Sequence, residues 1–340
     1  MIDNPPPDDS RSKVMNTDGI PPNMKLSDAY RLAIETGMKN DPRPKAEVEK
    51  VLSDARKQYD EMEDDKKQYF DQERLWNPYA DSRFSWGDGE KDVDKLMWGI
   101  DIGTGEVLLA DRLNEKGAGI GGIVAHHPLG SARTPFPEVM WIQTEMYHSN
   151  GVPINVAESM MSPRVEEVLR AVLPANYNQA VDAARLLGLP IMNIHSPADN
   201  CVQKFLEREF DEEPATYLSD IIDHLMKIEE YQMAAKYNSA PKIVVGSKTN
   251  HCGRIAVKMT GGTSGPKEIY ESLAHAGIGT VIGMHFPESH IEEAKKHRIN
   301  MVVSGHMASD SLGINLIADE WQRKGIEVLP CSGLLRVSRV

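Results

Sequence analysis

The sequence predicts an α/β protein with largely parallel sheets, entered through a helical N-terminal extension. Two observations carry this. From about residue 91 onward, short apolar runs alternate with stretches of helical period, which is the strand, helix, strand order of parallel sheets. Before that point the hydrophobic residues are spaced mostly by three or four, in a segment rich in Lys and Glu.

In chain order, residues 1–25 carry five prolines and almost no periodic hydrophobes, and are expected to be an unstructured tail. Residues 26–90 are the extension. Leu26, Tyr30, Ala33 and Ile34, then Val48, Val51, Leu52, Tyr59 and Met62, predict two amphipathic helices split at Asp41-Pro42-Arg43-Pro44. The aromatic, turn-rich stretch 75–89 is expected to wrap over the main body or a neighbouring subunit. Residues 91–200 form a first α/β half, with strands at 96–102, 120–125, 153–157 and 190–194 and helices at 106–116, 137–149 and 163–173. Residues 201–240 read as a connection of two helices. Residues 241–340 form a second half, with strands at 242–245, 255–259, 280–284 and 301–304, helices at 266–276, 289–297 and 309–324, and a last strand near 326–329.

Composition narrows the function. The 340 residues hold 38 basic and 51 acidic side chains, a net charge of -13 that repels phosphate backbones and anionic lipid, so a nucleic-acid partner is not expected. No apolar run approaches the ~20 residues of a membrane span. The N-terminus, MIDNPPPDDS, is acidic where a signal peptide is basic, so a cytoplasmic location is expected. Cys201, Cys252 and Cys331 lie far apart with no CxxC pair, which removes a disulfide framework and a thiolate zinc site.

Metal chemistry is then left to histidine and carboxylate. His126 and His127 follow GGIVA, His195 follows IMNI, His285 follows TVIGM and His306 follows MVVSG. Each stands just past the C-terminal end of an expected strand, the edge of an open α/β sheet where ligands bind. Asp199 lies four residues after His195, and Asp310 four after His306, so each pair shares a face if a helix begins at once. Such nitrogen and oxygen donors suit Zn, Fe or Mn. The side chains of the adjacent His126 and His127 diverge on an extended backbone, and two ions with a carboxylate such as Asp199 between them accommodate both. The plainer alternative is that Asp199 and Asp310 cap their helices.

Other motifs compete weakly. GIDIGTG (Gly99–Gly105) looks like the phosphate loop of actin and sugar-kinase ATPases, but a helix follows where that motif has a hairpin. GGTSG (Gly261–Gly265) either offers backbone N–H groups to a phosphate or is only a strand-to-helix turn. Neither a GxGxxG fingerprint nor a GxSxG elbow is present.

IVAHHPLG, HSPADN and GHMASDSLGINLIADEW together resemble the signature blocks of the Nif-three-like dinuclear metal centre proteins, which are also described as GTP cyclohydrolase I type-two homologues. The resemblance spans roughly residues 94–335 and leaves out the first ninety. It implies two interlinked α/β domains behind the extension and a toroidal homohexamer whose metal pair faces an internal cavity. It also implies the metal ligands His126, His127, His306, Asp310 and, as the bridge, Asp199. The family usually has Glu at the last position, and Asp310 is one methylene shorter, which implies a looser or water-mediated contact. His195 is then either a group that supports the ligands from behind or the catalytic residue that moves protons, and His285 lines the cavity.

The expected function is a metal-dependent hydrolase carrying two divalent ions (Zn, Fe or Mn) and acting on a small molecule. By the resemblance this is a cyclohydrolase on GTP or a related nucleotide. The rival is a metal-binding or regulatory protein of the same fold without catalysis, and open, water-bearing metal positions favour the enzyme.

Overall fold

The computed structural model describes residues 24–340. The expected tail therefore lies outside the described residues, except for its last two, which form strand β1 (Met24–Lys25). The extension continues with α1 (Leu26–Lys39) and α2 (Lys45–Glu61). Along α1, Leu26, Ala29, Tyr30, Ala33, Ile34 and Gly37 are buried, one face at helical spacing. By contrast α2 buries only Val48 and Ala55 and sets Lys45–Glu49 and Lys57–Glu61 pairs on its solvent side. The extension ends with β2 (Phe84–Trp86), inside the stretch read as irregular. Three half-buried residues are too few to show an alternation in sequence.

The first α/β part comprises β3 (Asp92–Val93), β4 (Lys95–Gly99), α3 (Thr104–Glu115), β5 (Gly122–Ala125), α4 (Ile142–Ser149), α5 (Ile154–Val172), α6 (Gln179–Leu186) and β6 (Ile191–Asn193). Then come α7 (Ser196–Glu212), α8 (Leu218–Leu225) and α9 (Glu229–Ala235), three helices where two were expected. The second part holds β7 (Lys242–Val245), β8 (Arg254–Lys258), α10 (Ile269–His275), β9 (Ile278–Gly283), α11 (Glu288–Lys296), β10 (Asn300–Val303), α12 (His306–Arg323) and β11 (Glu327–Cys331).

Two sheets result, β11-β4-β5-β6-β2 and β7-β10-β9-β8, each parallel except for its antiparallel edge strand, β2 or β7. Among the described residues β1 pairs only with β3, as a small two-stranded sheet apart from these two. Two expectations fail here. The strand expected at 153–157 is the start of α5, which runs through Pro163. Its short β-branched run misleads because Ala157, Met161, Val168 and Val172 continue one buried helical face. The last strand, expected in the second half, returns to the first sheet and pairs with β4. Order along the chain does not determine which sheet a terminal strand joins.

Helices α1 and α12 both pack on α7. Two glycines permit this: a Cβ on Gly37 would meet Pro197 Cα at 2.5 Å, and one on Gly313 would meet the Ala198 carbonyl oxygen at 2.2 Å. In the core, Trp98 of β4 lies against Trp321 of α12 at 4.7 Å, and the Trp321 indole N–H donates to the Ala29 carbonyl of α1 at 2.9 Å. The extension is thus part of the main core. Among the described residues no helix is long and apolar enough to cross a membrane.

Candidate metal centre

The C-terminal edges of the two sheets face each other, and the histidines stand on those edges. The backbone N–H groups of His126 and His127 donate to the Gly99 and Ile100 carbonyls, both at 3.0 Å, which prolongs the β4–β5 pairing, and the two rings lie 5.3 Å apart. The His126 Nδ1–H donates to the Ile194 carbonyl at 3.1 Å, which leaves Nε2 as the free nitrogen. His127 Nδ1 is held at 2.7 Å by Asp101 Oδ1, and His195 Nδ1 at 2.7 Å by Asp81 Oδ2. His195 stands immediately before α7 with Asp199 in its first turn; His306 opens α12 with Asp310 one turn on. Neither Asp is an N-cap, so the capping alternative fails. The His127 and His306 rings lie 5.2 Å apart across the two sheets, and His285 lies 4.8 Å from His306.

All six predicted site residues meet. The free nitrogens and carboxylate oxygens stand at 3.5 Å (His126 Nε2 to Asp199 Oδ1), 3.6 Å (His126 Nε2 to Asp310 Oδ1), 3.7 Å (His127 Nε2 to Asp310 Oδ2), 3.4 Å (His306 Nε2 to Asp310 Oδ2) and 3.7 Å (His195 Nε2 to Asp199 Oδ2). These gaps exceed the ~3.2 Å reach of a hydrogen bond. They match the roughly 3–3.6 Å between neighbouring donors that each sit about 2.0–2.2 Å from a shared ion. His126 Nε2, Asp199 Oδ1 and both oxygens of Asp310 are buried and have no hydrogen-bond partner among the described residues, a cost of ~1–3 kcal/mol for each group that a cation removes. These residues fit a metal ion. Three groupings of donors are compact enough to hold one: His126, Asp199 and Asp310; His127, His306 and Asp310; and His126, His127 and His195. The carboxylate common to two of them is Asp310, whereas Asp199 faces His126 and His195. Asp310, though one methylene shorter than the Glu usual there, thus reaches donors of both groups, and Asp199, implied as the bridge, reaches one of them.

The electrostatics are those of buried donors that a cation would complement. Burial pushes the His126 imidazole down to about 3 and that of His306 to about 4, so both are neutral donors. Burial also lifts the Asp199 carboxyl to about 8 and raises that of Asp310. At His195 burial works downward, but Asp199 and Asp81 outweigh it and raise the group to about 9. An ion must displace protons from the carboxyls, so metal affinity is expected to rise with pH up to about 8. The slope is about tenfold per pH unit for each proton displaced. Calorimetric titration with Co²⁺ at pH 6, 7 and 8 measures it, and a flat affinity contradicts the arrangement.

Above the donors opens a cleft of about 600 Å³ lined by Asp101, Arg133, Phe136, His195, His285 and the Gly262-Thr263 turn, among others. The GIDIGTG loop thus supplies Asp101, which orients His127, and GGTSG supplies a wall of the cleft. Sequence reasoning missed Asp101 and Asp81 as orienting groups. The first sits at the C-terminal end of β4, on the same edge as the histidines, and that position was a usable signal. The second had none, lying 114 residues from its partner in an unpatterned segment.

A solved structure, a NIF3 superfamily protein from Sphaerobacter thermophilus, is 32% identical to this chain and superposes with a TM-score of 0.68, covering 75% of this chain and 92% of that one. The chain belongs to the NIF3 superfamily. Two further structures are much looser matches: reduced HcgD from Methanocaldococcus jannaschii (13% identity, TM-score 0.47, covering 72% of this chain and 86% of that one) and a Bacillus cereus protein related to NIF3 (10%, 0.41, covering 76% and 93%). No protein-family model and no curated protein matches the chain. NIF3 superfamily membership agrees with the two α/β units seen here, and the buried His/Asp cluster of this member could bind a metal ion.

Proposed function

We propose that the protein binds two divalent ions, one between His126, Asp199 and Asp310 and the other between His127, His306 and Asp310, and acts as a metal-dependent hydrolase. One observation carries the reading: among the described residues four buried donor atoms without partners converge beneath an open cleft whose lining includes His127, His195 and His306. When bound, such ions lower the pKa of a water toward neutrality and stabilise the charge that develops in hydrolysis. The chain's own residues do the rest. Ile194 and Asp101 fix the ring orientations of His126 and His127, so that each presents one nitrogen to the floor. Three protein donors in each group leave positions open, whereas a structural zinc site closes with four.

A cyclohydrolase acting on GTP or a related nucleotide is the narrower reading. The cleft supports it with room for a nucleotide, the Arg133 guanidinium for an anionic group and the Phe136 ring for a planar one. A homo-oligomer, a hexamer by resemblance, belongs to the proposal and is supported by the exposed Leu108, Leu109, Leu173 and Leu186. A cytoplasmic location is proposed from composition alone. The full chain, stripped and then loaded with Mn²⁺, Fe²⁺ or Zn²⁺, is expected to hydrolyse at least one nucleotide in a chromatographic screen, and the stripped chain none. Tight metal binding with no turnover by any loaded form favours the non-catalytic reading instead.

A further inference from the structure

We propose that the N-terminal extension is a working part of the metal centre: Asp81 is a positioning residue that holds His195 as a second nitrogen donor, beside His126, to the ion at His126 and Asp199. The inference rests on the metal-centre reading above.

Asp81 is fully buried, yet among the described residues no Lys or Arg pairs with it. Its Oδ2 accepts from His195 Nδ1–H at 2.7 Å and from the Ser196 hydroxyl at 2.7 Å, and its Oδ1 accepts from the Ser82 hydroxyl at 3.3 Å. With Nδ1 committed as donor, the His195 lone pair is on Nε2. That atom lies 3.7 Å from Asp199 Oδ2 and falls within one donor group with the nitrogens of His126 and His127. A carboxylate on the far nitrogen of a ligating imidazole is the usual way a metal site fixes ring orientation and raises donor strength. Beside a neutral imidazole the buried Asp81 carboxylate has no compensating charge among the described residues. A cation beyond the imidazole compensates it.

The segment that carries Asp81 is built to hold still. Asn77 and Arg83 both donate to the Ser82 carbonyl, at 2.8 and 2.7 Å, and the Arg83 guanidinium also pairs with Asp71 at 2.6 Å. The Tyr79 hydroxyl donates to Asp41 at 2.9 Å. The strap is tied to the site side as well: His195 N–H donates to the Ser82 hydroxyl at 3.0 Å, and Asn193 N–H to the Arg83 carbonyl at 2.8 Å. Residues 77–83 therefore register the extension against the start of α7.

The test titrates the metal-stripped full chain with Co²⁺, reading affinities by calorimetry and coordination by the visible ligand-field spectrum. For Asp81→Asn, one of the two Co²⁺ sites is expected to weaken about 10–100-fold with an altered spectrum, while the other is unchanged. His195→Gln should alter the same site, and Asp81→Asn should add nothing on that background. If Asp81→Asn does not fold, Ser196→Ala leaves the charge in place and removes one of its anchors; it should weaken the same site severalfold. Wild-type affinities and spectrum in Asp81→Asn, or in Ser196→Ala where only that variant folds, overturn the inference and leave His195 as a proton carrier. A wild-type chain that takes up no Co²⁺ overturns the metal-centre reading, and this inference with it.

Discussion

Asp310→Ala is expected to purify without bound metal while remaining folded. Asp310 is the carboxylate shared by the two donor groups, with Oδ1 3.6 Å from His126 Nε2 and Oδ2 3.7 and 3.4 Å from the Nε2 atoms of His127 and His306. Its loss leaves only His127 and His306 at one ion and takes the shared carboxylate from the other, so both lose a donor they need to hold a divalent ion against water. His127→Ala strips one group only, and about one ion per chain should remain. Stability should move the other way. Both Asp310 oxygens are buried without partners, and burial raises the carboxyl pKa, so the metal-free fold is penalised wherever the unfolded carboxyl is ionised. Removing it should stabilise the metal-free protein by about 1–3 kcal/mol at pH 8. Near pH 4, where the carboxyl carries a proton in the fold, the gain should shrink. Elemental analysis and melting curves of stripped protein read both effects, and wild-type metal content in Asp310→Ala removes the donor assignment.

The contrast between Asp310 and Asp81 shows what the sequence could reveal. His126, His127, His195, His285 and His306 were legible because each follows an apolar strand run directly, and the parallel order places all those ends on sheet edges. Asp199 and Asp310 were legible because an i, i+4 spacing becomes a shared face once the helix starts at the histidine. Which of the two carboxylates spans both groups was not legible, since it depends on how α12 is aimed relative to β5. Nor was Asp81, because its place at His195 is fixed by a strap of buried hydrogen bonds formed only after the extension has packed on α7. Strand β11 was found, but its partner β4 lies more than two hundred residues earlier, beyond any local signal.

Gly313→Ala tests how tightly the two carboxylate-bearing helices must approach. In an open helix this change is favourable by about 0.5–1 kcal/mol, because alanine restricts the unfolded chain and suits the helix. At Gly105, on α3, an added Cβ would have nothing within 4 Å, so Gly105→Ala should gain up to about 1 kcal/mol. At Gly313 the added carbon would stand 2.2 Å from the Ala198 carbonyl oxygen, 2.8 Å from its carbon and 3.4 Å from Val202 Cγ1. Two of these neighbours are backbone atoms of α7 and no rotamer relieves them, so α12 and α7 must separate. The expected sign therefore reverses, to a loss of about 1–3 kcal/mol from overpacking. The separation also reaches the site. Asp199 follows Ala198 directly, and Asp310 lies one turn before Gly313, so moving the helices apart widens donor spacings that already match a shared ion. A metal affinity at least tenfold weaker than wild type should accompany the lower melting temperature. If Gly313→Ala instead melts like Gly105→Ala and binds Co²⁺ as the wild type does, the close approach of α7 and α12 is not what holds Asp199 and Asp310 in register.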